Sequence, residues 1–149
     1  KEGSELHIYL HCEVQGQRKK DFEARVFIYN YRMYDRYRSP VISLPILIDN
    51  DPSWKPEGFG YSLGGFRMEI KFPVAKLLEW KDKWEVLEKS DNPVSLCIMA
   101  HLKALETANK AQLRKRWKFN LLRLLFQRGY SRKEIKELLH WHDVQPIWM

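Results

Sequence analysis

Cysteine is scarce here: Cys12 and Cys97 are the only two in 149 residues, and neither sits in a CxxC pair or a Cys/His cluster. That argues against a disulfide scaffold and a cysteine-based zinc site. Both thiols have apolar neighbours, so the expectation is buried free cysteines in a reducing, cytoplasmic compartment. Long apolar runs are also missing. Nothing approaches the roughly 20 residues of a membrane-spanning helix, so no membrane partner is expected. No signal-peptide pattern, repeat or low-complexity tract is evident.

At 44% hydrophobic and 13% aromatic residues the chain can bury a core, and at 30% charged it can stay soluble. Its length fits one domain, or one core with a helical appendage. Charge is unevenly placed. Residues 1–100 hold 15 basic and 15 acidic side chains, whereas residues 101–149 hold 11 basic and 4 acidic, which accounts for the net +7. A basic half joined to a neutral one suits a polyanion such as nucleic acid, or is simply a basic helical surface.

The informative stretch is His7 to Gly16. Ile8, Leu10, Cys12 and Val14 alternate with Tyr9, His11, Glu13 and Gln15, which predicts a strand with Glu13 and Gln15 on one face. A carboxylate and an amide two residues apart can aim at one small volume, hold a divalent metal and orient a water. The same pattern also describes the polar face of a half-solvated strand. Asp21 is placed to cap a helix from Phe22 to about Tyr37, with an apolar stripe of Phe22, Val26, Tyr29 and Met33. Arg25 and Tyr29 share a flank of that stripe. Arg32, Arg36 and Arg38 interleave with Tyr31, Tyr34 and Tyr37, either to meet phosphates and bases or as a solvated face.

Ser39-Pro40 breaks the helix, and Val41–Ile48 reads as an apolar strand buried on both faces. Strand, helix, strand predicts a parallel βαβ unit. Pro45 speaks against a fully central position or marks a bulge. Asp49 and Asp51 follow at the strand's C-terminal end, where ligands bind in open α/β sheets, or else serve as turn residues. Gly64-Gly65 predicts a hairpin whose second strand runs from Phe66 to Phe72. Leu77 to Glu88 is expected to give a helical turn or two over the sheet. Asn92-Pro93 then opens three helices, Ser95 to about Glu106, Ala111–Arg128 and Ser131–His140. Gly129 ends the second, and Ser131 with Glu134 forms a capping box on the third.

The text HCEVQGQRKKDFEARVFIYNYRMYDRYRSPVISLPILID resembles the recombination-promoting nuclease and transposase family of the PD-(D/E)XK nuclease superfamily. That family shows H-x-E-x-Q on a strand, F-x-x-R-x-x-x-Y on the next helix, then an apolar strand. His11, Glu13, Gln15, Phe22, Arg25, Tyr29 and Val41–Ile48 stand at those positions. Met99–Ala104 and Arg116–Ile135 resemble the family's helical half, so the similarity covers most of the chain.

The resemblance implies an α/β fold: a restriction-endonuclease-like mixed sheet core, N-terminally truncated, followed by a helical subdomain. The nuclease-like core would span residues 1–90 and the basic helical subdomain residues 91–149. It implies a Mg²⁺-dependent DNA endonuclease linked to recombination or transposition, with Mn²⁺ or Ca²⁺ as other candidate ions. Glu13 would bind the metal and Gln15, where the superfamily has a Lys, would orient the attacking water. Arg25 would offer a cation to the phosphate, with Tyr29 hydrogen-bonding beside it. The family's first metal-binding Asp is expected upstream of residue 1, since Glu2 and Glu5 lie too near Glu13 for a preceding strand. The oligomeric state stays open, a homodimer among the possibilities.

Other residues offer less. His7 and His11 would lie roughly 13–14 Å apart on a strand, too far to share a metal. His11 either assists Glu13 or is a surface histidine, and His140 and His142 have no third ligand. Leu121–Leu139 resembles a helix-turn-helix, with Arg132, Lys133 and Lys136 as DNA contacts. It also fits an αα-hairpin packing Ile135, Leu138 and Leu139 against the sheet domain. The alternative function is therefore a catalytically inactive DNA-binding module, or a protein-interaction module using exposed tryptophans.

Overall fold

The computed structural model describes residues 7–143, without the side chains of residues 138–143. Strand β1 (Tyr9–Gln15), helix α1 (Phe22–Tyr37) and strand β2 (Val41–Leu47) form the expected βαβ unit. The strands pair in parallel, Tyr9 opposite Val41 through to Gln15 opposite Leu47. Asp21 occupies the cap position of α1, but its side chain makes no capping hydrogen bond. Phe22 and Val26 are fully buried, with Leu47, Trp54 and Phe72 around them. The stripe thins beyond them, and Tyr29 is 40% exposed.

Alternation in β1 is as expected, but its burial is inverted. Ile8 and Leu10 are more than half exposed and Cys12 is exposed, whereas Gln15 is buried and Glu13 half-buried. The polar face of β1 looks toward α1, because Arg25 and Asn30 on that helix supply donors to it and to Ser43 of β2. β2 is likewise not buried on both faces: Ser43, Pro45 and Leu47 are buried, but Ile42 is 48% exposed.

A two-residue strand β5 (Ala75–Lys76) pairs in parallel with Ile46 and Leu47, giving the order β1-β2-β5. β2 is thus central, despite Pro45. The Ile48 N–H donates to Gln15 O, so by strand alternation the Pro45 nitrogen points to the other edge. β5 pairs only from Ile46 onward, and the missing N–H leaves no gap in the ladder. Strands β3 (Gly58–Leu63) and β4 (Phe66–Lys71) form a separate antiparallel hairpin. Gly64 and Gly65 have φ of 55° and 81°, the double positive φ of a type I′ turn. The described strands therefore make two sheets rather than one mixed sheet.

The chain divides into two compact units, Lys1–Lys76 and Leu77–Met149. Residues 77–90, expected with the sheet, belong to the second. A 3₁₀ helix (Leu77–Lys83) and helix α2 (Trp84–Lys89) pack on helix α3 (Pro93–Glu106). Their apolar side chains explain this, since Leu87 is buried with Leu96 and Met99, and Trp80 and Trp84 pack against that cluster.

Helices α4 (Ala111–Gln127) and α5 (Arg132–Asp143) complete the second unit. Asn92 Oδ1 accepts the Val94 N–H at 2.9 Å, capping α3 with Pro93 in its first turn. Gly129, at φ 83°, lets the chain leave α4. The capping box on α5 is formed: Ser131 N donates to Glu134 Oε2 at 2.8 Å, and Glu134 N to Ser131 Oγ at 3.3 Å. Ile135 is buried with Leu96, Leu121 and Leu125 in the helical unit's own core. Trp54 is buried, and Trp80, Trp84 and Trp117 are half-buried, packed on that core. Among the described residues no helix is long and apolar enough to cross a membrane.

Candidate active site at the end of strand β1

Glu13 and Gln15 project from the C-terminal part of β1, where parallel strands commonly present functional groups. One turn into α1, Arg25 reaches both. Its Nε donates to Glu13 Oε1 at 2.7 Å and one Nη to Gln15 Oε1 at 2.7 Å; the same Nη lies 2.6 Å from Glu13 Oε1. Gln15 Nε2 donates to Gln17 O at 2.6 Å, which fixes the amide's orientation. The guanidinium carbon lies 5.6 Å from the centroid of the Phe22 ring, a buried anchor for the arginine stem.

Glu13 keeps one feature that this clamp does not explain. Its second oxygen, Oε2, is buried without a hydrogen-bond partner among the described residues. A buried carboxylate oxygen normally has a donor or a cation, because leaving it bare costs free energy. Arg25 holds one oxygen; the other has no hydrogen-bond partner among the described residues.

Tyr29 lies one helical turn past Arg25, and its ring meets His11 edge-on, the centroids 5.6 Å apart. His11 Nδ1 is 3.0 Å from Ser43 Oγ, which also receives Asn30 Nδ2 at 3.1 Å. His11 is thus half-buried between strand and helix rather than on the surface. His7 precedes β1. The side chains of His140 and His142, with Leu138 and Leu139, lie outside the described residues, as do Glu2 and Glu5.

Asp49 and Asp51 do not join Glu13. Asp51 Oδ1 accepts from Ser53 N and Oγ, which holds its carboxyl below the ordinary aspartate value. Asp49 is buried, and Lys76 Nζ sits on it at 2.6 Å from Oδ1 and 2.8 Å from Oδ2. The same ammonium donates to Asp51 O at 2.6 Å and Trp54 O at 3.1 Å. This buried ion pair escaped the sequence reading. Its one local signal was a lysine inside the apolar run Val74 to Leu78.

Among the described residues no group of three or more His, Cys, Asp or Glu side chains could hold a metal. A single carboxylate would suit only an ion that takes most of its ligands from phosphate oxygens and waters. Arg132, Lys133 and Lys136 are exposed at the start of α5, with Glu134 among them. Cys97 is half-buried, and burial pushes its thiol above the usual value. No protein-family model matches the chain, and neither a curated protein nor a solved structure is significantly similar to it.

Proposed function

We propose that this protein is a metal-dependent DNA endonuclease with Glu13, Gln15 and Arg25 as its working group. The reading joins the resemblance in sequence to one observation, the buried Glu13 Oε2 left open beside a clamped Gln15 and Arg25. Glu13 Oε2 would hold the divalent ion, Mg²⁺ by the resemblance. A bound ion of that kind polarises a phosphate and lowers the pKa of a water.

The chain's own contributions follow from its hydrogen bonds. Arg25 holds Glu13 and Gln15 in one geometry, and its unused Nη donors bring positive charge to a phosphate oxygen. Gln15 has one Nε2 proton left after bonding Gln17 O, and that N–H positions an attacking water. Its amide supplies orientation without charge, so activation of the water falls to the metal site. Tyr29 and His11 brace the flank.

The test is nicking of supercoiled plasmid in Mg²⁺ and in EDTA. It compares the wild-type protein with Glu13→Gln. Glu13→Gln keeps an oxygen for Arg25 but removes the anion. Nicking that needs Mg²⁺ and falls at least about a hundredfold in Glu13→Gln supports the reading. Equal nicking by both forms, or none by either, sinks it.

A second reading, DNA binding without cutting, is favoured by the composition of α4, which carries five basic residues and no acidic one. Salt-sensitive DNA binding in EDTA, with no product in Mg²⁺, would establish it.

A further inference from the structure

Helix α4 has a core face and a face that the core does not use. Leu121 and Leu125 are buried, and Trp117, Leu122 and Leu124 pack beside them. On the outward side Arg116, Phe119, Arg123 and Phe126 are exposed, Phe119 by 70% and Phe126 by 52%. Their spacing of three, four and three residues puts them in a single stripe along the helix. Large aromatics on the solvent side of an amphipathic helix leave much of their apolar area in water, and phenylalanine is a poorer helix former than the residues usual there.

Charge identifies the occupant. α4 has no aspartate or glutamate, against Arg114, Lys115, Arg116, Lys118 and Arg123. Arg114 is used internally, one Nη donating to Thr107 O and Ala108 O. Among the described residues no carboxylate pairs with Arg116 or Arg123. A surface that alternates unpaired guanidinium groups with exposed rings suits a ligand that alternates phosphates with flat faces. Phe119 and Phe126 are about 10.5 Å apart along the axis, close to three phosphate spacings of a stacked strand.

We propose that the outward stripe of α4 binds single-stranded nucleic acid, Phe119 and Phe126 stacking on unpaired bases while Arg116 and Arg123 meet phosphates. Base faces in an intact duplex are covered by their neighbours, so the aromatic half of the stripe favours unpaired over paired strands. This deepens the DNA reading above by naming a surface and a preferred form, and it rests on DNA as the partner, not on cutting.

The experiment is fluorescence anisotropy of a labelled single strand and of its duplex, in EDTA, so that cleavage plays no part. The proteins are wild type, Phe119→Ala/Phe126→Ala, Phe119→Tyr/Phe126→Tyr and Arg116→Gln/Arg123→Gln, each checked for helicity by circular dichroism. Wild type should prefer the single strand. The alanine pair should lose about tenfold or more on it with little change on duplex, and the tyrosine pair should bind nearly as wild type. The glutamine pair should weaken both forms and flatten the single-strand salt slope by about 1.4.

Unchanged binding by the alanine pair overturns the proposal while leaving the endonuclease reading standing. Loss of binding in that pair, with no nicking by any form, upholds the proposal and sinks the nuclease. Phe-dependent binding to phosphatidylserine vesicles without single-strand binding overturns it in favour of a membrane surface. A Phe-dependent dimer with unaltered oligonucleotide binding overturns it in favour of self-association.

Discussion

Arg25 and Glu13 lie twelve residues apart in sequence and 2.6 Å apart in space, with the glutamate's other oxygen buried and bare. The pair carries a stability consequence apart from any catalysis. Arg25→Met strips a charged donor from Glu13 and Gln15 and should cost about 1–3 kcal/mol, read from the urea midpoint. Glu13→Gln should cost less, because its amide oxygen still accepts from Nε. Equal losses in the two variants would show that the clamp is not what holds this corner.

Lys76 and Asp49 form the most deeply buried ion pair described, with side chains 2% and 5% exposed. Removing one partner strands the other, so Lys76→Met should destabilise by about 3–5 kcal/mol. The double variant Lys76→Met/Asp49→Leu should be less destabilised than Lys76→Met alone. Some loss persists, because Asp51 O and Trp54 O lose their donor as well. Denaturation of the three proteins side by side checks the order.

The thiols should separate kinetically. Cys12 is exposed, while Cys97 is half-buried with its thiol raised by desolvation. A disulfide reagent near neutral pH should label Cys12 first, and Cys12→Ser should abolish the fast phase. The expectation of two buried thiols failed at Cys12, since the apolar face of β1 turned outward.

Acid should loosen the start of α5. Hydrogen bonds from the Ser131 hydroxyl and N–H lower the Glu134 carboxyl. A carboxyl lowered in the folded state stabilises at pH above its unfolded value and loses that contribution as pH falls through the folded value. Amide exchange at Ser131 and Glu134 should therefore quicken in acid relative to exchange in the α4 core. Glu134→Gln should flatten that dependence.

Much of the local structure was legible because its causes are local. Phe22–Tyr37 was bounded by a cap position and by Ser39-Pro40, the hairpin by Gly64-Gly65, and α5 by Ser131 and Glu134. The exposed phenylalanines of α4 were not legible as a surface, because an apolar residue in a helix reads as core until its neighbours are placed.

By itself, the sequence determined the order and span of these elements, the parallel βαβ unit and the basic bias of the last third. Backbone propensity, capping and alternation act within a few residues, and charge is a sum. Only the tertiary structure decided which face of β1 meets α1, that Arg25 takes Glu13 and Gln15 together, and that Lys76 is buried on Asp49. Those outcomes depend on which long-range donors can satisfy which buried acceptors, and that is settled when the elements pack.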